Sequence, residues 1–264
     1  MIQKGESTTG NPYLELAETI KAMASSSTSS TTPDDYCCLD EYGMGKDVFD
    51  CPVCGNTGRI VREDEDGVVW VRECDCMNAR RAIRRLRRSG LEDAVSRYTF
   101  AAYETPDDKR RAVLNAAKRF CKQDSGWFYI AGQSGSGKTH ICTAICGELL
   151  KTVDVRYMLW REDAPRLKAA ANEPEYGELI EPLKRVPVLY IDDFLKGKTT
   201  DADFNLAFEL INARYNDSRL RTIISSELPI NAILNLDEGL GGRIYERSRG
   251  FMVQPPDENW RLRR

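Results

Sequence analysis

Short apolar runs alternate with longer segments of helical character over the last two thirds of the chain. The runs that predict strands are Trp127–Ala131, Val155–Trp160, Pro187–Asp192, Arg221–Ser226 and Phe251–Gln254, and helices are predicted between them near residues 139–151, 162–172, 202–217 and 230–248. Buried strands that alternate with helices form a parallel sheet covered on both faces. We therefore predict an α/β domain over residues 95–264, built as three layers around a parallel five-stranded sheet.

The first third of the chain has a different pattern. A Ser/Thr-rich tract at 24–33 is too polar to bury a face, and clustered cysteines further on flank two short apolar runs, Gly58–Val61 and Val68–Arg72. The turn dipeptide Asp66-Gly67 between these runs predicts a hairpin. The predicted segments are a flexible stretch at 1–35, a cysteine-rich zinc-binding module at 36–79 and a basic linker helix at 80–94.

The overall charge carries no signature of nucleic-acid binding. With 38 basic and 41 acidic residues the net charge is −3, so any contact with DNA requires a local basic patch. The sequence contains no run of 18 apolar residues, which a membrane span would require, and residues 1–6 lack the charged-then-apolar order of a signal peptide. We therefore expect no membrane contact and a cytoplasmic location, where the nine cysteines stay reduced and favour metal over disulfides.

Residues 132–140 form a glycine-rich loop between a predicted strand and a predicted helix. Such a loop turns backbone N–H groups toward phosphate oxygens, and the helix adds its positive amino end. Lys138 is expected to reach the β- and γ-phosphates of a nucleotide, while the Thr139 hydroxyl ligates magnesium. The predicted nucleotide-binding residues are Gly132, Gln133, Ser134, Gly135, Ser136, Gly137, Lys138, Thr139 and His140.

The run Val186–Ile191 is a predicted buried strand that ends in two carboxylates, Asp192 and Asp193. In a P-loop fold, an acid at such a strand tip holds the magnesium ion. We therefore assign Asp192 to the metal and Asp193 to polarising the attacking water.

Together, Gly-x-x-Gly-x-Gly-Lys-Thr-His and the downstream Ile-Asp-Asp-Phe resemble the AAA+ ATPases of the DnaC/DnaI type, which load the replicative helicase onto DNA. The closely related IstB transposition helpers share this ATPase core. The resemblance covers roughly residues 95–255 and implies an AAA+ P-loop core with ATP and Mg²⁺ as cofactors. Because only about ten residues follow the last predicted strand, it also implies a reduced lid.

The same resemblance suggests roles for four further residues. The family keeps a γ-phosphate sensor, usually Asn, where this chain has Glu227; either Ser226 senses the phosphate or Glu227 orients water. Arg247, together with Arg243, resembles the arginines that enter a neighbouring subunit's ATP site as a finger, whereas a solvated basic face is the alternative. The predicted catalytic residues are thus Lys138, Asp192, Asp193, Ser226, Arg243 and Arg247.

The cysteine cluster has the spacing of a structural metal site. Cys51 and Cys54 form one Cys-x-x-Cys turn, and Cys74 and Cys76 lie beyond the predicted hairpin. Four thiolates suit tetrahedral zinc, with no open position for catalysis. Cys37 or Cys38 are alternative ligands, because Cys-x-Cys departs from the usual spacing. The remaining cysteines in the ATPase domain, Cys121, Cys142 and Cys146, are predicted to pack in the core.

A basic run at 80–88 packs six arginines into nine residues. Three interpretations stay open: contact with DNA phosphates, contact with an acidic helicase surface, or no specific role. The resemblance implies that the amino-terminal module touches a replicative DnaB-type helicase and that the core senses single-stranded DNA. We expect a helicase loader that self-assembles on helicase or DNA. The alternatives are an IstB-like transposition helper and a zinc-ribbon DNA-binding regulator that uses ATP as a conformational switch.

Overall fold

The computed structural model describes residues 51–64 and 67–263. Its strands are β1 (Arg59–Glu63), β2 (Val69–Glu73), β3 (Trp127–Ala131), β4 (Val155–Leu159), β5 (Val188–Asp192), β6 (Arg221–Ser226) and β7 (Met252–Val253). Its α-helices are α1 (Cys76–Ser89), α2 (Glu92–Val95), α3 (Asp108–Cys121), α4 (Lys138–Leu149), α5 (Trp160–Ala170), α6 (Tyr176–Arg185), α7 (Asp201–Tyr215), α8 (Ile230–Leu236) and α9 (Glu238–Arg247). Residues 1–35, with their predicted flexible segment, lie outside the described part.

The chain divides into two compact units between Arg84 and Arg85, and α1 spans the boundary. We call the first, up to Arg84, the four-cysteine unit and the second, from Arg85, the sheet domain. In the first unit, β1 and β2 pair antiparallel as the predicted hairpin, with Val61 opposite Val71. Ile60 is the buried apolar side chain that packs among the cysteines, with Met77 at its margin, and α1 adds the buried Ala79, Ala82 and Ile83. The apolar side chains packed on the thiols are therefore few.

The second unit contains the predicted parallel five-stranded sheet, in the order β4-β5-β6-β3-β7. Alternate residues of a strand face opposite sides of a sheet. On one side, Trp127 and Tyr129 join a large apolar cluster built with α5 to α9. On the other side, Phe128 packs on Phe120 of α3, with 5.5 Å between ring centroids. Helices therefore cover both faces, which confirms the predicted three-layer architecture.

Four elements differ from the sequence prediction. Helices α3 and α6 were not predicted. The predicted helix at 230–248 is two helices, because Asp237 adopts extended backbone (φ −153°) and its carboxylate accepts a hydrogen bond from Leu240 N at 2.7 Å, which caps α9. The predicted strand Val155–Trp160 ends at Leu159, where the Asp163 carboxylate accepts the Leu159 N–H at 2.9 Å. In the last two cases a local carboxylate cap ends one element and starts another.

Within the described part of the chain, none of the helices combines the length and the apolar character that crossing a membrane requires.

Candidate functional site

The glycine-rich loop connects β3 directly to α4. Gly137 caps the helix with φ of 93°, and Gly135 has φ of 79°. L-residues rarely adopt this left-handed region, so the turn requires glycine at both positions. The buried Lys138 ammonium donates to the carbonyl oxygens of Gly132 at 2.7 Å and Gln133 at 2.8 Å. Burial lowers the pKa of Lys138, whereas the negative charges of Glu227 and Asp193 oppose that shift.

The loop is also packed closely by residues near the end of the chain. A Cβ added at Gly135 would clash with the Asn259 side chain, and the Trp260 N–H donates to the Gly135 carbonyl at 2.9 Å. The Ser136 hydroxyl is buried and has no hydrogen-bond partner within the described residues. A buried hydroxyl without a partner costs free energy, and a bound phosphate oxygen would satisfy it. The loop therefore fits the predicted phosphate group.

Asp192 ends β5 and is buried next to the start of α4. The Thr139 hydroxyl lies 3.3 Å from Asp192 Oδ2 and 3.4 Å from Oδ1. Two oxygens that each lie about 2.1 Å from one Mg²⁺ can be at most about 4.2 Å apart, so this pair fits a shared magnesium ion. The Ser225 hydroxyl also donates to Asp192 Oδ1, and the Tyr157 hydroxyl lies 3.3 Å from Oδ2. These two contacts fix the orientation of the carboxylate, and sequence reasoning missed Tyr157.

Asp193 follows with φ of 54°, an uncommon conformation for a residue with a side chain. Its carboxylate accepts hydrogen bonds from Lys196 Nζ at 3.2 and 3.3 Å. Lys196 also pairs with Glu227, whose Oε1 lies 2.9 Å from Nζ. The predicted water-polarising acid and the unusual acid at the sensor position therefore share one lysine. Sequence reasoning did not single out Lys196.

Ser226, the other candidate sensor, has a fully buried side chain. Its hydroxyl donates to the Phe194 carbonyl at 2.8 Å and accepts the Leu228 N–H at 3.1 Å. Backbone groups therefore take up both the donor and an acceptor position of this hydroxyl. The next side chain along the chain toward the site is the Glu227 carboxylate. The sensing role of Ser226 stays a prediction that these contacts do not favour.

The structure brings neither candidate finger arginine to the P-loop of its own chain. Arg247 donates to the carbonyls of Ser218 at 3.0 Å and Leu220 at 3.3 Å, and its guanidinium lies 5.8 Å from the ring of Trp127. Trp127 begins β3, whereas the P-loop follows the opposite end of that strand. Arg243 donates to Asn212 Oδ1 at 3.0 Å. Both arginines thus have partners within their own chain, and a finger acting on a neighbour stays a prediction.

His140 lies against the segment that precedes α3. Its Nε2 is 2.9 Å from the Thr99 carbonyl oxygen, and its ring packs on those of Tyr98 and Tyr103, with centroids 5.1 and 5.2 Å away. Burial lowers the pKa of His140, although its contact with the Thr99 carbonyl opposes the shift. The role of His140 indicated by this structure is to fix the preceding segment to α4, and its predicted contact with nucleotide stays untested.

Arg110 of α3 supports the P-loop from the side, a role that the sequence pattern did not predict. The residue is buried, and its guanidinium donates to the Ser136 carbonyl at 3.2 Å and the Glu104 carbonyl at 2.8 Å. It stacks on the rings of Tyr103 at 4.5 Å and Trp260 at 4.1 Å. Nothing in the sequence distinguishes this arginine from its exposed neighbours on α3.

The four predicted zinc ligands converge in the first unit. The sulfurs of Cys51, Cys54, Cys74 and Cys76 all lie within 4.8 Å of one another. Those of Cys51 and Cys74 are 3.8 Å apart, and those of Cys54 and Cys76 are 3.5 Å apart. A tetrahedron with Zn–S bonds of about 2.3 Å has edges of about 3.8 Å, so the cluster fits zinc. Burial raises the pKa of Cys74 to about 12. Cys37 and Cys38 lie outside the described residues.

Arg80 and Asn56 connect the two halves of this cluster. Asn56 Oδ1 accepts both the Cys51 N–H at 2.8 Å and the Arg80 guanidinium at 2.7 Å. Arg80 is almost completely buried, and its hydrogen bond to the Cys76 sulfur lowers the pKa of that thiol against the larger effect of burial, which raises it. Outer contacts of this kind orient metal ligands.

The basic run is less uniform than its sequence predicts. Arg80 is buried, Arg81 pairs with Glu73, and Arg85 lies 3.5 Å from Asp154. Of the six arginines, Arg84, Arg87 and Arg88 are exposed. The solvent-facing positive stripe therefore contains three arginines, half the number in the predicted stripe.

Comparisons with known proteins bear on the family of this chain. Residues 62–242 match the family described as IstB-like ATP binding protein. The phage-like element PBSX protein XkdC of Bacillus subtilis (strain 168) is 31% identical over 225 residues, covering 78% of this chain and 82% of XkdC. The replicative helicase loader DnaC of Buchnera aphidicola subsp. Schizaphis graminum (strain Sg) is 26% identical over 204 residues, covering 70% of this chain and 80% of that protein. A crystal structure of the DnaC helicase loader has a TM-score of 0.55 at 20% identity, covering 62% of this chain and 99% of that one, which shows a shared fold.

Proposed function

This chain belongs to the family of IstB-like ATP-binding proteins and has the AAA+ fold that its motifs predict, and we propose that it hydrolyses ATP to load a replicative helicase onto single-stranded DNA. The observation that carries the ATPase proposal is the meeting of Lys138, Thr139 and Asp192 at one edge of the sheet. Two residues of the first turn of α4 and the last residue of β5, a strand that β6 separates from β3, converge there because the fold brings these ends together.

The proposed chemistry assigns a task to each of these groups. Lys138 holds the terminal phosphates, and the backbone N–H groups of the loop surround the phosphate oxygens. Thr139 and Asp192 hold Mg²⁺, which neutralises the charge that develops on the phosphates. Asp193 polarises the attacking water, and its contact with Lys196 keeps the carboxylate at the strand tip.

The helicase and DNA parts of the proposal have separate support. The DnaC of Buchnera, a relative over most of its own length, is a replicative helicase loader. The four-cysteine unit exposes the apolar side chains of Val69, Trp70 and Val71 along β2, and such exposed side chains often mark protein contacts. We assign the helicase contact to this strand and the DNA contact to the exposed arginines of α1. Assembly of several copies on helicase or DNA and a cytoplasmic location belong to the same proposal.

A pull-down with the host's replicative helicase, with and without ATP, tests this function. We expect capture by the parent protein, together with increased unwinding of DNA that is coated with single-strand-binding protein. Trp70→Ser should weaken capture, whereas Tyr245→Ser, which alters an exposed aromatic residue of the other unit, should not.

Two results would overturn the proposal. Capture of a transposase on double-stranded DNA, without helicase binding, would identify a transposition helper. DNA binding that responds to ATP without any turnover would identify a regulator that uses ATP as a switch.

A further inference from the structure

The turn after β5 and the end of β6 meet at the candidate ATP site. Phe194 and Leu195 are buried, and the Phe194 N–H donates to the Ser225 carbonyl at 2.8 Å. These contacts anchor the turn to β6 while Asp193 and Lys196, three residues apart, remain partly exposed. Leu195 has φ of 53°, a second uncommon conformation in this turn. The backbone is therefore shaped to present Lys196 next to Asp193.

Lys196 is paired with both carboxylates at this edge. Its Nζ lies 3.2 Å from Asp193 Oδ2 and 2.9 Å from Glu227 Oε1. The Gly132 N–H at the start of the P-loop donates to the Ser226 carbonyl at 3.1 Å, and Lys138 donates to the Gly132 carbonyl at 2.7 Å, so the P-loop lysine and Glu227 lie at the same end of the sheet. Against the lowering by burial, the charges of Glu227 and Asp193 raise the pKa of Lys138, whereas that of Lys196 lowers it. A nucleotide bound at Lys138 would bring its terminal phosphate into the same space.

A carboxylate at the sensor position conflicts with this phosphate. Like charges at short distance repel, and the effect is strong where water is partly excluded. Glu227 alone would therefore weaken the binding of ATP relative to ADP, because only ATP carries the γ-phosphate. A neighbouring cation removes the conflict, and Lys196 has the donors that a phosphate oxygen requires.

We infer that Lys196 is the γ-phosphate-sensing group of this protein and that Glu227 holds it in position. In place of one neutral sensor side chain, the site uses an ion pair whose cationic end contacts the phosphate. This inference rests on the proposed ATPase function. It also assigns Glu227 a positioning role that makes Ser226 unnecessary as a sensor.

The test compares the binding of a non-hydrolysable ATP analogue and of ADP to purified full-length protein with Mg²⁺. Lys196→Ala should weaken the binding of the analogue about tenfold to a hundredfold, the usual loss for one charged hydrogen bond, and should leave ADP binding nearly unchanged. Unchanged ADP binding also shows that the variant is folded. Lys198→Ala, which alters an exposed lysine two residues away, is the matched control and should retain the parent's preference.

The double variant separates sensing from simple anchoring. If Glu227 repels the phosphate once Lys196 is lost, Lys196→Ala with Glu227→Gln should recover part of the lost preference for the ATP analogue. A Lys196→Ala protein that keeps the parent's ratio of analogue to ADP affinity would overturn the inference while leaving the ATPase proposal intact. A parent protein that binds neither nucleotide would overturn both.

Discussion

The two units of this chain differ in how much apolar surface they bury. The sheet domain buries a continuous apolar cluster that extends from β3 to α9, with Trp127, Phe194 and Leu210 fully enclosed. In the four-cysteine unit the cluster around the thiols encloses one apolar side chain besides the cysteines, Ile60, and every residue of β2 is exposed. Burial of apolar surface drives folding in the first case, whereas we propose that metal coordination replaces it in the second. The same chain is therefore expected to respond to metal removal in one part only.

Metal removal should give the largest effect and tests this contrast directly. We expect one zinc ion per chain, and we expect a strong chelator or Cys54→Ser to unfold the small unit, because structural zinc supplies about 10–16 kcal/mol in small zinc domains. The sheet domain should stay folded and keep its nucleotide affinity. Hydrogen exchange, followed separately for peptides of each unit, measures both outcomes.

The matched control for this experiment is Cys121→Ser, which alters a partly buried thiol outside the cluster. It should leave the zinc content unchanged. Protein purified without chelators that contains no zinc would contradict the assignment, and so would a four-cysteine unit that stays protected from exchange after the metal is removed.

Within the sheet domain, Asp193→Asn should give the next largest effect. The substitution keeps the shape of the side chain but removes the charge that polarises water, so hydrolysis should fall about 10²–10⁴-fold while ATP still binds. Lys138→Ala should instead abolish tight ATP binding. Asp201→Asn, on the exposed first turn of α7, is the control and should retain turnover. Full turnover by Asp193→Asn would show that another group activates the water.

Arg80 offers a finer test of the four-cysteine unit. Since its guanidinium joins Asn56 to the Cys76 sulfur, Arg80→Leu should weaken zinc binding about 10–100-fold without changing the number of ions bound. Competition against a chromophoric chelator measures this affinity. Arg84→Leu, on an exposed position of the same helix, should bind zinc like the parent. Equal affinity in both variants would mean that Arg80 contributes to packing alone.

Arg247 provides the corresponding test in the sheet domain. Its bonds to backbone carbonyls predict that Arg247→Ala lowers the free energy of unfolding by about 1–3 kcal/mol, whereas the exposed Arg249→Ala changes it little. Urea unfolding measures both. A finger makes a different prediction: mixing Arg247→Ala with Asp193→Asn would restore some ATPase activity. If the mixture regains ATPase activity and Arg247→Ala is as stable as the parent, Arg247 acts as a finger on a neighbouring subunit.

Features encoded locally and contacts between distant elements differ in how well they can be predicted from the sequence. The strands β3 and β5, the glycine-rich loop and the cysteine ligands follow from local patterns, because each is encoded within a few neighbouring residues. Lys196 was missed because its partner Glu227 lies after a different strand, and only the adjacency of β5 and β6 brings the two together. Helix α6 was missed because only Ile180 and Leu183 are buried on it, too few to give a clear period. Local patterns thus predict elements, whereas pairs across elements require the fold.

The smallest expected effect concerns His140, the one histidine of the chain. Its pKa is lowered in the folded protein by burial, so the unfolded chain, with an ordinary pKa of about 6.5, takes up the proton first as the pH falls. The contribution of His140 to stability is therefore present above about pH 6.5 and is lost as the pH decreases below it. Comparing urea unfolding of the parent and His140→Gln at constant zinc isolates this contribution, because the other titrating groups are common to both proteins. The parent's advantage over the variant should shrink between pH 7.5 and pH 5.5 by roughly 1 kcal/mol or less, since one pKa unit corresponds to about 1.4 kcal/mol. An advantage that grows toward acid pH would show that His140 binds the proton more tightly in the folded protein than in the unfolded chain. Such a result would require a negative charge beside the ring, which the contacts of His140 with Thr99, Tyr98 and Tyr103 do not supply.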